Sequence, residues 1–206
     1  MKVYFVRHGE TTYNTRMYYQ DKITPLSKYG ISQARAVARR FKKIPVDIIL
    51  ASDYNRTRST TKIMNKLINK KIVYTPLLRE LKKPTEIENK HCEDPEAMKV
   101  TTLMEKNKTD KNWHFSDEEN FFDHKQRVEK FIDFLNKRKE ENILVVSHGI
   151  TIRMVVMVMI FGDLLTLDLF ERVIFMRIRN TGITLCKKDH KNNWQLLTWN
   201  DYAHLG

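Results

Sequence analysis

The sequence predicts an α/β protein, a three-layer α/β/α sandwich with a mostly parallel central sheet and a lid insertion. Three observations carry that prediction. The apolar runs Val3-Tyr4-Phe5-Val6, Ile48-Ile49-Leu50-Ala51 and Ile143-Leu144-Val145-Val146 read as buried strands. Apolar residues at helical spacing follow each of the first two runs and flank the third. The tail, from about residue 173, changes to alternating, β-rich stretches. No linker or internal repeat interrupts the pattern, so residues 1–206 are read as one domain, with the lid at about 81–120.

Taken in order, the first run ends in Arg7-His8-Gly9-Glu10-Thr11. A buried strand is a stiff mount, and open α/β sheets place their chemistry at the carboxyl ends of strands. Residues 11–25 are polar, carry Asn14, Arg16 and Gln20, and read as a loop. Ser27 is the expected N-cap of a helix with the stripe Ile31, Ala34, Val37, Ala38 and Phe41. The run at 48–51 leads into Ser52-Asp53-Tyr54-Asn55-Arg56-Thr57-Arg58. A helix over 55–69 is expected to turn Ile63, Met64, Leu67 and Ile68 inward. Arg56 then lies in its first turn, where free N–H groups attract anions. Ile72-Val73-Tyr74 is a third strand, leading through Pro76 to Leu78-Arg79-Glu80.

From Lys82 to Asp117 the periodicity weakens, and only short helices are expected, around 95–106. An insertion at this place reads as a lid. Phe121, Val128, Phe131, Ile132 and Leu135 mark another helix. The run at 143–146 ends in Ser147-His148-Gly149, echoing the start of the chain, and a helix from about residue 150 to 161 follows until Gly162 stops it. Residues 173–178, 183–186 and 194–199 are expected as closing strands, with a turn at Asn180-Thr181-Gly182.

Composition narrows the function. The formal charge of +12 suits an anionic substrate. Lysines and arginines are interleaved with acids, as in Lys137-Arg138-Lys139-Glu140-Glu141, which reads as a solvated face rather than a nucleic-acid stripe. Cys92 and Cys186 are isolated, which points to a reducing compartment. Four apolar residues after Lys2 are too few for a signal peptide, and the apolar run from Met154 to Phe161 is too short for a membrane span. A soluble cytoplasmic protein is expected, without nucleic-acid or membrane partners. His91, His114, His124, His190 and His204 form no metal-ligand pattern and are expected on the surface or lid. No metal or cofactor is called for.

Two strands ending in His-Gly, and a third followed by arginines, can bring imidazoles and guanidiniums to one sheet edge. In this order the motifs Arg7-His8-Gly9-Glu10-Thr11 with Asn14 and Gln20, Ser52-Asp53 to Arg56-Thr57-Arg58, Leu78-Arg79-Glu80, Val146-Ser147-His148-Gly149 with Ile152-Arg153, and Asn180-Thr181-Gly182 resemble the histidine phosphatase superfamily, the phosphoglycerate-mutase-like proteins. The resemblance spans nearly the whole chain. It implies His8 as a nucleophile forming a phosphohistidine, with one ring nitrogen held by a backbone carbonyl near Gly9. It also implies Arg7, Arg56 and His148 as phosphate ligands and Glu80 as the acid. Asn14, Gln20 and the amide of Gly149 are expected to add neutral donors.

The implied activity is metal-independent hydrolysis of small phosphorylated metabolites, by a monomer or a homodimer. The alternatives are phosphoglycerate mutase-type transfer and a non-catalytic phosphate-binding module. Leu81-Lys82-Lys83-Pro84 replaces the Gly-aromatic-Glu-Gly pattern of many relatives, and Glu118-Glu119-Asn120 replaces Gly-Glu-Ser. Both departures lie around the lid, so substrate contacts there are expected to differ.

Overall fold

Along the first strand, β1 (Lys2–Arg7), Val3 and Phe5 join one apolar cluster while Tyr4 and Val6 join another. Successive side chains leave a strand on opposite faces, so a strand apolar at every position must be covered on both. The computed structural model describes residues 1–206, the side chain of Ile174 excepted. Its six strands form one sheet, β1 with β2 (Ile48–Ala51), β3 (Ile72–Tyr74), β4 (Asn142–Ser147), β5 (Ile183–Lys188) and β6 (Trp194–Asp201), in the order β3-β2-β4-β1-β5-β6. The first four are parallel, and β5 and β6 close the sheet as an antiparallel hairpin.

The helices, in chain order, are α1 (Thr12–Thr15), α2 (Lys28–Phe41), α3 (Asn55–Ile68), α4 (Pro95–Asn107), α5 (Phe121–Asn136), α6 (Gly149–Phe161) and α7 (Leu167–Arg172). One face of the sheet packs Tyr4, Val6, Ile49 and Val146 against Val37 and Phe41 of α2 and Met64 of α3. The other packs Val3, Phe5, Leu50 and Val145 against Val128, Phe131 and Leu135 of α5 and nearly all of α6. α6 is apolar all round because it is buried all round, from Thr151 to Met159. The expected layers and mostly parallel sheet are therefore present.

Several local expectations need correction. The polar stretch 11–25 contains a one-turn helix, α1, held by a capping box between Thr11 and Asn14. α3 turns Arg56, Thr57, Thr60, Thr61 and Met64 inward, while Leu67 is exposed. Its inner face near the sheet edge serves polar neighbours rather than the core. Residues 173–178 form no strand, because α7 and a 3-10 turn, Val173–Phe175, occupy the approach to β5. The lid carries one 13-residue helix, α4, capped by Asp94. It has its own small core of Ile87, Ala97 and Val100, backed by Tyr19 and Met104. Backbone bonds from Tyr19 N to Lys90 O (3.0 Å) and from Asn89 N to Tyr19 O (2.9 Å) tie it to the loop that carries Gln20.

Candidate active site

Parallel pairing does the first work. β1 and β4 run in register to the pair Arg7 and Ser147, so His8 and His148 emerge side by side at one edge. His8 N donates to Ser147 O at 2.9 Å, and the two imidazole centroids lie 5.2 Å apart. β2 ends beside them, with Ser52 N donating to Val146 O at 3.1 Å. The Ser52 hydroxyl lies 2.9 Å from Nε2 of His148.

His8 is held from several directions. Its Nδ1 lies 2.7 Å from Gly9 O, so that nitrogen carries the proton and donates, leaving Nε2 with its lone pair. Asn180 donates to His8 O at 2.9 Å, and Gly9 N donates to the Thr60 hydroxyl at 3.0 Å. The turn after His8 needs its glycine: a Cβ on Gly9 would sit 2.4 Å from Gly30 O. The reverse contact is tighter, since a Cβ on Gly30 would lie 2.0 Å from Glu10 O.

The arginines arrive from two sides. Arg7 uses Nη1 on Ile178 O, and Arg56, buried in the first turn of α3, uses Nη1 on Asp21 O, both at 2.7 Å. Neither has a carboxylate within salt-bridge distance, and the buried Nε of each has no protein partner, among the described residues. Burial lowers both pKa values, that of Arg56 to about 10, so both remain cations at neutral pH. The same burial, with Arg56 and Arg7 nearby, pushes His8 well below its usual range. His148 is lowered likewise by burial, Arg56, His8 and Arg7. Both imidazoles are thus neutral before an anion arrives, and the fixed positive charge comes from the arginines.

Glu80 reaches the same pocket while capping α6. Its carboxylate accepts from Ile150 N (3.2 Å), Thr151 N (3.0 Å) and Leu81 N (3.1 Å). It does not pair with Arg79, which binds Asp53 instead. Arg127 of α5 fastens the Glu80 loop, donating to Leu77 O, Arg79 O and Glu80 O while gripping both oxygens of Glu119.

Arg7, His8, Asn14, Gln20, Arg56 and Glu80 line one cavity of about 210 Å³. His148 does not line it but lies beneath, fully buried, its ring between those of His8 and Tyr54. Gly149 lines the adjoining cavity, together with Arg7 and Glu80. Asn14 Oδ1 is engaged by Thr11 N at 3.0 Å, and Gln20 Oε1 accepts from the Thr11 hydroxyl at 3.1 Å. The amide nitrogens remain the groups these two can offer a ligand.

Sequence reasoning missed the supports. Ser52 and Asn180 sat inside noted motifs and at strand ends, which is where the signal lay. Thr60 and Arg127 left no signal, because their partners are 51 and about 50 residues away. Lys83, within the Leu81-Lys82-Lys83-Pro84 departure, lines the pocket wall, where burial lowers its pKa and Glu80 and Glu118 raise it. His124, expected on the surface or lid, is fully buried on the inner face of α5, with Nε2 3.1 Å from the Thr151 hydroxyl.

Comparisons with known proteins agree with this geometry. A protein of Hydrogenobacter thermophilus provisionally named phosphoserine phosphatase 2 is 30% identical over 192 residues, covering 89% of this chain and 87% of that one. An Enterobacter protein provisionally named phosphoglycerate mutase GpmB is 34% identical over 157 residues, covering 74% and 71%. The solved structure of an Escherichia coli protein provisionally titled an alpha-ribazole-5'-P phosphatase superposes with a TM-score of 0.84 at 25% identity, covering 98% of both chains. The family model of the histidine phosphatase superfamily (branch 1) matches residues 3–202, and the chain belongs to that family.

Proposed function

We propose that the protein is a phosphomonoesterase that hydrolyses small phosphorylated metabolites through a phosphohistidine at His8. The observation that carries this is the state of His8: neutral, its Nδ1–H donated to Gly9 O, beside the half-buried Arg7 and the buried Arg56, which lack carboxylate partners among the described residues. In the proposed reaction the lone pair of Nε2 attacks phosphorus and the ester P–O bond breaks. The departing oxygen takes a proton from Glu80. Water, deprotonated by the Glu80 carboxylate, then attacks the phosphohistidine, and the P–N bond breaks to release inorganic phosphate. Arg7 and Arg56 bind the phosphoryl oxygens, with Asn14, Gln20 and the Gly149 amide as neutral donors. Arrival of the dianion favours the protonated form of His148, which then adds a third cation.

Hydrolysis is favoured over phosphoryl shuffling by the lid. Three of the seven lid lysines are paired: Lys82 with Asp117, Lys90 with Glu96, and Lys108 with Glu105 of the lid and with Glu171 of α7. These pairings reduce the lid charge that could hold a bisphosphorylated intermediate. The name of the Enterobacter relative supports the mutase as the second reading.

Two measurements test the proposal. Rapid acid-free quench with a labelled monoester should trap an acid-labile, alkali-stable phosphoenzyme that His8→Ala lacks. Product analysis with 3-phosphoglycerate, with and without a bisphosphoglycerate primer, should show inorganic phosphate. Primer-dependent 2-phosphoglycerate outpacing phosphate release from every monoester tested would make the protein a mutase.

A further inference from the structure

The net positive charge of the chain is concentrated in its first 79 residues, which hold 17 lysines and arginines against 4 acids; the remainder holds 20 against 21. Within that part, α2 and α3 contain no acidic residue. The two helices pack against each other and cover the sheet face of Tyr4, Val6 and Ile49. We propose that the outer face of α2 and α3 docks the protein onto an anionic lipid bilayer. The inference is independent of the reaction at His8.

The cations are exposed together. Lys28, Arg35 and Arg39 recur at helical spacing and form one stripe of α2, which Lys42 and Lys43 extend. Lys62 and Lys66 form a stripe of α3, and Lys70 and Lys71 continue it past the end of the helix. None of these has a carboxylate within salt-bridge distance among the described residues; the ion pairs made from this part of the chain are Arg40 with Asp201 and Arg79 with Asp53. A helix face that is merely solvated carries both signs. α5 is such a face, with Asp123, Glu129 and Asp133 among Lys125 and Lys130, and with Lys125 paired to Glu129. Two adjacent 14-residue helices instead present a single-sign face about 21 Å long. Like charges gathered in this way repel one another, and an opposing anionic surface relieves the repulsion.

The chemistry of the face favours a bilayer over a nucleic acid. Its cations are mainly lysines, hydrated point charges that meet lipid headgroups at any angle. Guanidinium forks and stacking aromatics, which grip phosphate strands and bases, are few: Arg35, Arg39 and Tyr29. Apolar side chains are exposed among the lysines, Tyr29 by 55% and Leu67 by 47%. Leu67 stands between Lys66 and Lys70 and lines a hollow of about 280 Å³ with Phe41, Ile44, Pro45 and Ile68. Asp47 also lines it, its carboxylate accepting from the N–H groups of Glu141 and Asn142. An apolar side chain flanked by lysines suits the headgroup layer, where it is buried while the lysines meet anionic lipids. No helix is long and apolar enough to cross a membrane, so the proposed contact is peripheral. The expectation of no membrane partner rested on residues 137–141, where the signs are mixed; α2 and α3 lack the acids behind that reading.

The test is sedimentation of the full chain with sucrose-loaded vesicles of phosphatidylcholine, alone or with about 30% phosphatidylserine, at about 0.1 M and about 0.5 M NaCl. Binding is expected to the phosphatidylserine vesicles alone, and it should weaken strongly at the higher salt. Each cation near an anionic surface contributes about fivefold to the partition coefficient, so Lys66→Gln with Lys70→Gln should weaken binding about 25-fold. Arg35→Gln with Arg39→Gln should do the same. Lys130→Gln with Lys137→Gln makes an equal charge change at α5 and should cost less than about fivefold. All six positions are exposed, and thermal melts matching the parent protein establish that each variant is folded. Absence of binding to phosphatidylserine vesicles, or equal weakening by the α5 pair, overturns the proposal. So does tighter binding to an RNA oligonucleotide that the α2 and α3 variants weaken, which would assign the face to nucleic acid.

Discussion

Replacement of Glu80 by Gln separates two jobs that one carboxylate performs. As a cap, Glu80 holds the N–H groups of Ile150 and Thr151 at 3.2 and 3.0 Å and that of Leu81 at 3.1 Å. Gln keeps one acceptor oxygen, presents an N–H₂ where the other stood, and removes a negative charge from a helix N-terminus. The charge is worth about 0.3–1 kcal/mol, and a weakened cap about 1 kcal/mol more. The total of about 1–2 kcal/mol lowers Tm by roughly 2–8 °C in a chain of this size. As an acid, Glu80 should matter far more where the leaving oxygen needs its proton. kcat/KM for alkyl phosphates should fall about 10²–10⁴-fold, while aryl phosphates, whose leaving groups depart as anions, should lose about tenfold or less. KM should not rise, since Arg7, Arg56 and Arg153 lose their nearby acid. The assay is steady-state kinetics at 25 °C over esters of graded leaving-group pKa, paired with thermal melts. Equal slowing of alkyl and aryl esters would refute the acid role and leave Glu80 as a cap alone.

Arg127→Met should destabilise by about 3 kcal/mol, because it strands Glu119 and frees three carbonyls around Glu80; a urea midpoint close to that of the parent protein would contradict this. Stability should fall as pH drops below about 6.5, by up to about 1.4 kcal/mol per pH unit for each neutral histidine. Burial holds His8, His124 and His148 well below their usual range, so the unfolded chain binds more protons than the native one in that window. Urea unfolding at pH 7.5, 6 and 5 checks it, and a flat profile would count against neutral histidines. Activity should persist in excess chelator, and vanadate should inhibit by imitating the trigonal-bipyramidal transition state; loss of activity in EDTA with recovery on adding Mg²⁺ or Zn²⁺ would contradict it. Gly30→Ala should cost about 1–3 kcal/mol and roughly 100-fold in kcat, since its Cβ would drive the Glu10 carbonyl and the His8 turn out of place; a fully active variant would show that the turn can yield.

Much of the site was readable along the chain because its chemistry hangs on strand ends. A run such as Ile143-Leu144-Val145-Val146 announces a buried strand by hydrophobicity alone, and the residues after it are then bound to lie at a sheet edge. His8, His148 and Arg56 were found that way, and the family resemblance implied a backbone carbonyl near Gly9 beside the His8 ring; that Nδ1 is the nitrogen it holds came from the structure. The same reasoning failed at residues 173–178. β-branched and aromatic composition favours a strand, but α7 and the following 3-10 turn lead into a segment whose carbonyls are held by Arg7 and Arg153.

What the sequence by itself determined was the set of layers, the strand ends and the residue types placed there, because hydrophobic period and glycine position are local quantities. Tertiary structure alone decided the order β3-β2-β4-β1, and with it that His8 and His148 are neighbours although 140 residues separate them. It also decided that Glu80 caps a helix beginning 69 residues later, that His124 is buried, and which arginines lack a carboxylate. These depend on which distant groups desolvation and pairing bring into contact, and no local pattern encodes them.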